Sequence, residues 1–268
     1  MVKPDTGQCR VVIFGALGDC VNSTTLLLPL RTKYDRIVWV TKRKFVDVVK
    51  QNPLVDAVQV YEDDASGLSD VAVPSDGVIA PAPYLDGYGN HNEMTLLEWF
   101  KYVRVRLELP ALEPFEPLLY LSDEERAAAQ KFAAETGRFV LIESAHGSGQ
   151  SYWNDECTRL AINRVSLAGL EPVMVSHCKP PWVTSLAKLG YREVAALYDH
   201  AAGFIGVSSG ISCLVGAQCF RRDVPHVEFV SGEHWSTSLY RKDRKLIVLK
   251  PELVPAALDW LIEQIGGR

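Results

Sequence analysis

The sequence predicts an α/β fold with parallel sheets, arranged in two successive halves. Runs of β-branched and aromatic residues alternate with apolar helical segments along the chain, which is the pattern of repeated strand–helix–strand units. Three of the predicted strands end in a glycine-containing turn that leads into a helix, at 15–19, 146–153 and 208–212. In such a junction, backbone N–H groups and the positive end of a helix face the same space.

The first half is predicted to alternate strands with helices. In chain order the elements are a strand at 11–14, a helix at 22–34, a strand at 36–41, a helix at 43–51, strands at 56–61 and 78–80, and a helix at 96–107. The first strand reads VVIF without a charge, as expected of a strand buried in a parallel sheet. The proline-rich segment at 110–121 is the predicted boundary between a domain at 1–121 and a domain at 122–268.

The second half opens with Ser122 followed three residues later by Glu125, the signature of a capping box at a helix start. The predicted elements are a helix at 122–137, a strand at 140–143, a helix at 154–168, a strand at 172–176, helices at 182–189 and 193–201, a strand at 203–207, a helix at 211–219, strands at 226–230 and 245–249, and a terminal helix at 252–265. The two halves together predict two Rossmann-like domains that face a cleft, and the terminal helix is free to return to the first domain.

Composition and charge narrow the class of protein. The chain has 268 residues, of which 47% are hydrophobic and 23% charged, as in ordinary globular proteins. Its formal net charge of −5 argues against a nucleic-acid partner, which requires a basic surface. No apolar run has the length of a membrane span, and no signal peptide is recognisable. We therefore expect a cytoplasmic protein, and the basic runs at 42–44 and 241–245 allow peripheral contact at the inner face of the membrane.

Neither the cysteines nor the histidines indicate a metal site. The six cysteines are scattered without a C-x-x-C pair, and the six histidines show no spacing typical of zinc ligands. Cysteines placed in this way behave as small hydrophobic residues, which fits a reducing compartment. We expect neither a metal nor a cofactor.

Asp19 is the carboxylate of the first glycine turn. Because open α/β sheets bind ligands at the carboxyl ends of their strands, Asp19 is a candidate general base or polar anchor. An equally good interpretation is an acid that stabilises the start of its own helix. The spacing G-x-x-G-D differs from the dinucleotide fingerprint G-x-G-x-x-G. An NADP-linked oxidoreductase, suggested by the basic residues at 42–44, is therefore a distant alternative.

The third turn is the best candidate for a phosphate site. Its polar and small residues are Ser208, Ser209, Gly210 and Ser212. They offer hydroxyls, N–H groups and a glycine that permits close approach. A helix N-cap alone would need only one of the serines, so three serines within five positions favour a ligand.

Three segments, taken in order, resemble a known family. The pattern R-x-x-x-x-G-x-x-G-D-x-x-x-x-T covers 10–24, QNPLVDAVQVY covers 51–61, and REVAALYDHAAGFIGVSSGISCLVGA covers 192–217. Together they resemble glycosyltransferase family 9, the lipopolysaccharide heptosyltransferases and their relatives, which have the two-domain GT-B fold. The resemblance implies an acceptor-side Rossmann-like domain followed by a nucleotide-sugar-binding one, with parallel sheets that face a central cleft.

The resemblance also implies an activity in lipopolysaccharide or glycan biosynthesis. Members of the family transfer a sugar from a nucleotide-activated donor, usually ADP-heptose, to a glycan acceptor with inversion at the anomeric carbon. Asp19 matches the family's general base, which takes the proton of the acceptor hydroxyl. The candidate donor-binding residues are Gly18, His146, Ser151, Ser208, Ser209, Gly210, Ile211 and Ser212.

A long loop supplies the candidate residues for the acceptor. Tyr84, Tyr88, Asn90 and His91 lie in a segment rich in proline, glycine and asparagine. Aromatic faces and amides suit sugar rings, and long loops tend to be functional or mobile. An exposed loop without a binding role is the alternative.

The chain departs from the family at three positions. Ser208 stands where the family has an acid, Cys213 where it has a histidine, and Ser151 where it commonly has a lysine. The missing lysine is a missing cationic partner for the donor phosphate. These departures favour one alternative to catalysis, a relative that binds a nucleotide sugar or a glycan without transferring the sugar.

Overall fold

The chain divides into two compact units, Met1–Tyr120 and Leu121–Arg268. The computed structural model describes residues 7–13, 15–61, 78–79, 96–112, 115–144, 151–175, 190–219, 222–231 and 245–266. Each unit contains its own sheet, and the paired strands of both sheets run parallel. The predicted α/β class with parallel sheets is confirmed.

The first unit is built on a four-stranded sheet. Its strands are β1 (Gln8–Val12), β2 (Arg36–Lys42), β3 (Ala57–Tyr61) and β4 (Val78–Ile79), in the order β3-β2-β1-β4. Its helices are α1 (Leu17–Ser23), α2 (Leu27–Lys33) and α3 (Leu96–Arg106), with 3₁₀ turns at Thr24–Leu26 and Arg43–Val49. Because β1 is an inner strand between β2 and β4, the turn that follows it lies at the carboxyl ends of the strands and within the sheet, away from its outer strands.

The helix after β1 begins at Leu17, earlier than the sequence predicts. Asp19 Oδ2 accepts the N–H of Ala16 at 2.7 Å, so an acid at the third helical position replaces a capping side chain before the helix. Thr24 and Thr25 donate their hydroxyls to carbonyls three residues back, at 2.6 Å each. They therefore lie inside the helical segment and do not begin it.

The second unit is built on a five-stranded sheet. Its strands are β5 (Phe139–Ile142), β6 (Glu171–Met174), β7 (Gly203–Val207), β8 (His226–Phe229) and β9 (Lys245–Val248), in the order β6-β5-β7-β8-β9. Its helices are α4 (Asp123–Thr136), α5 (Asp155–Leu167), α6 (Tyr191–Tyr198), α7 (Gly210–Cys219) and α8 (Val254–Gly266), the last preceded by a 3₁₀ turn at Pro251–Leu253. The helix predicted at 182–189 lies outside the described residues. Within the described ranges, no helix is long and apolar enough to cross a membrane.

One face of this second sheet packs against α5 and α8 in an apolar core. The strands contribute Val140, Ile142, Ile205, Val207, Val227 and Phe229, and α8 contributes Val254, Ala257, Leu258, Leu261 and Ile265. The terminal helix therefore packs in the second unit, although the sequence left open its return to the first domain. Because side chains alternate along a strand, the opposite face carries Phe204 and Gly206 of β7 with their partners His226 and Glu228 of β8.

The capping box predicted at the start of α4 is confirmed. Ser122 Oγ accepts the N–H of Glu125 at 3.1 Å, and Glu125 Oε2 accepts the N–H of Ser122 at 2.8 Å. The same carboxylate oxygen accepts from Nη2 of the buried Arg192 at 2.7 Å. The cap therefore also joins α4 to α6.

Candidate functional site

The turn after β1 holds the carboxylate of Asp19 over Gly15. A Cβ atom on Gly15 would lie 1.9 Å from Asp19 Oδ2 and 2.4 Å from Asp19 Cγ. Position 15 must therefore be a glycine for the carboxylate to reach the N–H of Ala16. Gly18 lies next to Asp19 in the first turn of α1.

Asp19 is half-buried, and burial raises the pKa of its carboxyl. The hydrogen bond from Ala16 lowers this pKa by a smaller amount. In the part of the chain that the structure describes, no donor reaches Oδ1 and no cation pairs with the carboxylate. The contact with Ala16 shows the first-turn role. The general-base role stays a prediction, for which a raised pKa and an open oxygen are suitable.

Ser209 caps the helix that follows β7. Its Oγ accepts the N–H of Ser212 at 3.1 Å, and its carbonyl accepts the N–H of Cys213 at 3.1 Å. The N–H groups of Gly210 and Ile211 have no acceptor among the described residues. Two open amides at the positive end of a 10-residue helix can bind an anion.

Glu143 directly follows β5 and contacts both serines of this helix start. Ser209 Oγ donates to Glu143 Oε1 at 2.7 Å. Ser212 Oγ lies 3.3 Å from Glu143 Oε2 and donates to the carbonyl of Val207 at 2.6 Å. Ser208 and Ser212 are 0% exposed, so their side chains are enclosed within the second unit. Ligand contacts from the three serine hydroxyls stay a prediction, and the amides of Gly210 and Ile211 are the groups of this turn that have no partner among the described residues.

Two buried acids flank Gly206 on this face of the sheet. The pairing of β5 with β7 continues to place Glu143 beside Gly206, and Gly206 pairs with Glu228 on its other side. Glu228 is 0% exposed, and its Oε2 lies 4.0 Å from His226 Nε2. The sequence prediction missed Glu143, Glu228 and His226. The available signals were an acid directly after the apolar strand FVLI, and a histidine and an acid within the short strand HVEF.

Burial raises the pKa of the Glu143 carboxyl to about 8, and the neighbouring Glu228 contributes to the rise. Hydrogen bonds lower it by less, and they come from Ser209, the backbone of Val207 and Ser212. At neutral pH the carboxyl is therefore mostly protonated and adds no negative charge behind the amides of α7. His, Cys, Asp and Glu side chains in the described ranges form no group of three that could hold a metal ion.

The raised pKa of Glu143 predicts a stability that falls as the pH rises. An unfolded Glu has a pKa of about 4.3, so between that pH and the folded pKa the native state holds a proton that the unfolded state has lost. Stability decreases across this window and levels off above it. Calorimetry between about pH 5 and about pH 9 should show a larger fall in Tm for the wild type than for Glu143→Gln. The control is Glu135→Gln, because Glu135 is exposed. Equal falls in Tm in the wild type and both variants would contradict the prediction.

Ser151 belongs to a buried turn before α5. It is 8% exposed, and its Oγ accepts the N–H of Trp153 at 3.2 Å. Trp153 Nε1 donates to Thr158 Oγ1 at 2.8 Å, and its ring packs 4.5 Å from that of Phe229. These contacts give the turn a structural role. Binding of the nucleotide-sugar donor by Ser151 stays a prediction. The remaining candidates, His146, Tyr84, Tyr88, Asn90 and His91, lie outside the described residues.

Solved structures match the chain over nearly its whole length. The glycosyl transferase family 9 protein of Veillonella parvula aligns with 99% of this chain over 97% of its own, with a TM-score of 0.66 and 16% identity. The ADP-heptose lipopolysaccharide heptosyltransferase II of E. coli aligns with 96% of this chain over 99% of its own length, with a TM-score of 0.64 and 12% identity. E. coli heptosyltransferase WaaC with ADP-2-deoxy-2-fluoro heptose aligns with 96% of this chain over 99% of its own, with a TM-score of 0.61 and 15% identity. The chain has the fold of glycosyltransferase family 9.

The shared fold confirms the predicted GT-B class and the resemblance to family 9. No family model and no curated protein sequence matches the chain. At 12% to 16% identity, the likeness to family 9 structures shows the fold alone.

Proposed function

We propose that the chain is an inverting glycosyltransferase that moves a sugar from a nucleotide-activated donor to a hydroxyl of a glycan or another acceptor. The supporting observation is the pair of open amides, Gly210 and Ile211, at the start of α7 and beyond the carboxyl end of β7. A helix start at this edge of a parallel sheet suits a phosphate group. The solved structures named above, which share the fold, are glycosyltransferases.

The amides of α7 would receive the diphosphate of the donor. The two N–H groups and the positive end of the helix stabilise the negative charge that grows on the diphosphate as it leaves the sugar. Glu143, while protonated, adds no opposing charge behind them. The nucleotide sugar is a substrate, and we expect neither a metal nor a cofactor to take part.

Asp19 would act as the general base. The acceptor oxygen bonds to the anomeric carbon while the bond from that carbon to the diphosphate oxygen breaks. The proton of the acceptor hydroxyl passes to the Asp19 carboxylate. Attack from the side opposite the leaving group inverts the anomeric configuration. Because burial raises the pKa of Asp19, its carboxylate is a stronger base than an exposed one.

A protein that binds a nucleotide sugar or a glycan without transfer is the second candidate. The family's acid and histidine are replaced by Ser208 and Cys213, which are 0% and 1% exposed. Its lysine is replaced by Ser151, whose hydroxyl belongs to a turn. The chain thus keeps the open amides and lacks three charged or titratable groups of the family pattern.

A thermal-shift panel of ADP, UDP, GDP and CDP, their sugar derivatives and NADP tests the proposal. A ligand that binds only the folded state raises the Tm by mass action. We expect one nucleoside diphosphate and its sugar derivative to raise the Tm, and NADP to leave it unchanged. Release of the diphosphate from that sugar derivative, with glycan acceptors added, separates transfer from binding. Binding without release would favour the second candidate, and no shift with any nucleotide would overturn both.

Gly210→Val should weaken the binding of this nucleotide about tenfold or more, which corresponds to ~1.4 kcal/mol. A valine side chain at the first residue of α7 stands beside the amides and obstructs the phosphate. The last residue of α8 offers a control, Gly266→Val, because a Cβ there meets no atom within 4 Å. Calorimetric titration of both folded variants measures the effect. Unchanged affinity in Gly210→Val would place the donor site elsewhere.

A further inference from the structure

Given the function proposed above, we propose that Glu143 positions the donor-binding amides by holding the first turn of α7 against the sheet through Ser209 and Ser212. Glu143 is a positioning residue, because it contacts the helix start and not the ligand. Its role is separate from that of Asp19, which lies in the other unit.

The backbone of Glu143 is fixed by the sheet. Its N–H donates to the carbonyl of Ile205 at 2.8 Å, which extends the pairing of β5 with β7. Its carboxyl then contacts two hydroxyls of the helix start, Ser209 Oγ at 2.7 Å and Ser212 Oγ at 3.3 Å. These serines stand on either side of the two open amides. One side chain therefore holds the residues before and after them.

The number of hydrogens in this cluster is compatible with a protonated carboxyl. A serine hydroxyl has one hydrogen, and Ser212 gives its hydrogen to the carbonyl of Val207 at 2.6 Å. Ser212 then has no second hydrogen for Glu143 Oε2 at 3.3 Å, so a protonated carboxyl would supply the hydrogen of that contact. Ser209 donates to the other oxygen, Oε1. Glu143 is thus both donor and acceptor, and burial favours the same state by raising its pKa to about 8.

Ionisation of Glu143 should therefore weaken the site. It removes the hydrogen that holds Ser212 and places a negative charge behind the amides. The titratable groups facing Glu143 from β8 are Glu228, which contributes to its raised pKa, and His226 beside Glu228. α7 presents the two hydroxyls to it, and β7 presents the backbone of Val207. The affinity for a diphosphate should fall as the pH rises through about 8.

Glu143→Gln and Glu143→Ala test this role. Glutamine can accept from Ser209 and donate to Ser212, as the protonated carboxyl does, whereas alanine can do neither. The probe is whichever of ADP, UDP, GDP or CDP raises the Tm of the wild type most. At about pH 7, Glu143→Ala should raise the Kd for the probe about tenfold, while Glu143→Gln should stay within about twofold of the wild type.

The pH profile supplies a readout that loss of packing alone would not change. Between about pH 7 and about pH 9 the wild-type Kd should rise about tenfold, as expected for a unit charge near a bound anion. The Glu143→Gln variant should not show this rise. Hydrogen exchange of the first turn of α7 should also be faster in Glu143→Ala. Glu193→Gln, which changes an acid at the start of α6, is the control for all three measurements.

The outcomes separate this role from the proposed function. Wild-type affinity in Glu143→Ala, or the same pH profile for the wild type and Glu143→Gln, would overturn the role of Glu143 and leave the proposed function in place. A wild type that binds none of the four nucleotides would overturn the proposed function, and the role of Glu143 in donor binding with it. If Glu143→Ala does not fold, the pH profile of Glu143→Gln decides.

Discussion

Replacing Asp19 with asparagine should lower the rate of sugar transfer about 10²- to 10⁴-fold, the range typical of general acid–base catalysis. Asparagine keeps an oxygen for the N–H of Ala16, so the start of α1 should be preserved. It cannot take a proton from the acceptor hydroxyl. Nucleotide affinity should not change, because the amides proposed to receive the diphosphate belong to the second unit. Release of nucleoside diphosphate and nucleotide affinity, measured on one preparation, check both statements.

Glu193 offers a matched control for this substitution. Its Oε2 accepts the N–H of Gly190 at the start of α6, as Asp19 does for Ala16 at the start of α1. Glu193→Gln removes the same kind of first-turn charge without touching a proposed catalytic group, so the transfer rate should be unaffected. Full activity in Asp19→Asn would contradict the assignment of Asp19 as the general base. Its role would then be the first-turn hydrogen bond alone.

Gly206→Ala should destabilise the second unit by about 1–3 kcal/mol or more, the range for an overpacked core. The added Cβ would lie 2.2 Å from Phe204 Cε1 and 2.7 Å from Ser212 Oγ. Phe204 is 0% exposed and packs 4.6 Å from the ring of His226, and the Ser212 hydroxyl is bonded to Val207. Neither group can move without losing a contact. The Tm should fall by about 2–4 °C for each kcal/mol lost.

Thermal unfolding of Gly206→Ala beside Gly266→Ala measures this effect. At position 266 a Cβ meets no atom within 4 Å, so the control should unfold at the wild-type temperature. Because displacing Ser212 also disturbs its contact with Glu143, Gly206→Ala should bind the nucleotide more weakly below its Tm. An unchanged Tm would show that Phe204 and Ser212 have room to move.

Most of the elements can be predicted because their signals are local. The strands predicted at 36–41 and 203–207 are Arg36–Lys42 and Gly203–Val207 in the structure. The capping box at Ser122 and Glu125 lies where its spacing predicts. Hydrophobic period, glycine turns and cap residues act over a few positions, so a single sequence contains them. The start of α1 is the exception, because Asp19 at the third helical position accepts the N–H of Ala16 and no side chain before the helix caps it.

The contacts of the third turn could not be predicted in the same way. Ser209 and Ser212 bond to Glu143, which lies 66 and 69 positions away along the chain. Nothing within the turn distinguishes a hydroxyl that faces a ligand from one that bonds to a buried acid. The pairing of β5 with β7 brings the acid to the turn, and that pairing is a property of the sheet.

Taken alone, the sequence determined the α/β class, the alternation of strands and helices, and the turn that carries Asp19, because these depend on neighbouring residues. Only the tertiary structure decided that Glu143 is buried beneath α7, that Ser208 and Ser212 are buried with it, and that the amides of Gly210 and Ile211 have no acceptor among the described residues. Burial, hydrogen-bond partners and a raised pKa depend on groups that strand pairing and helix packing bring together from distant parts of the chain.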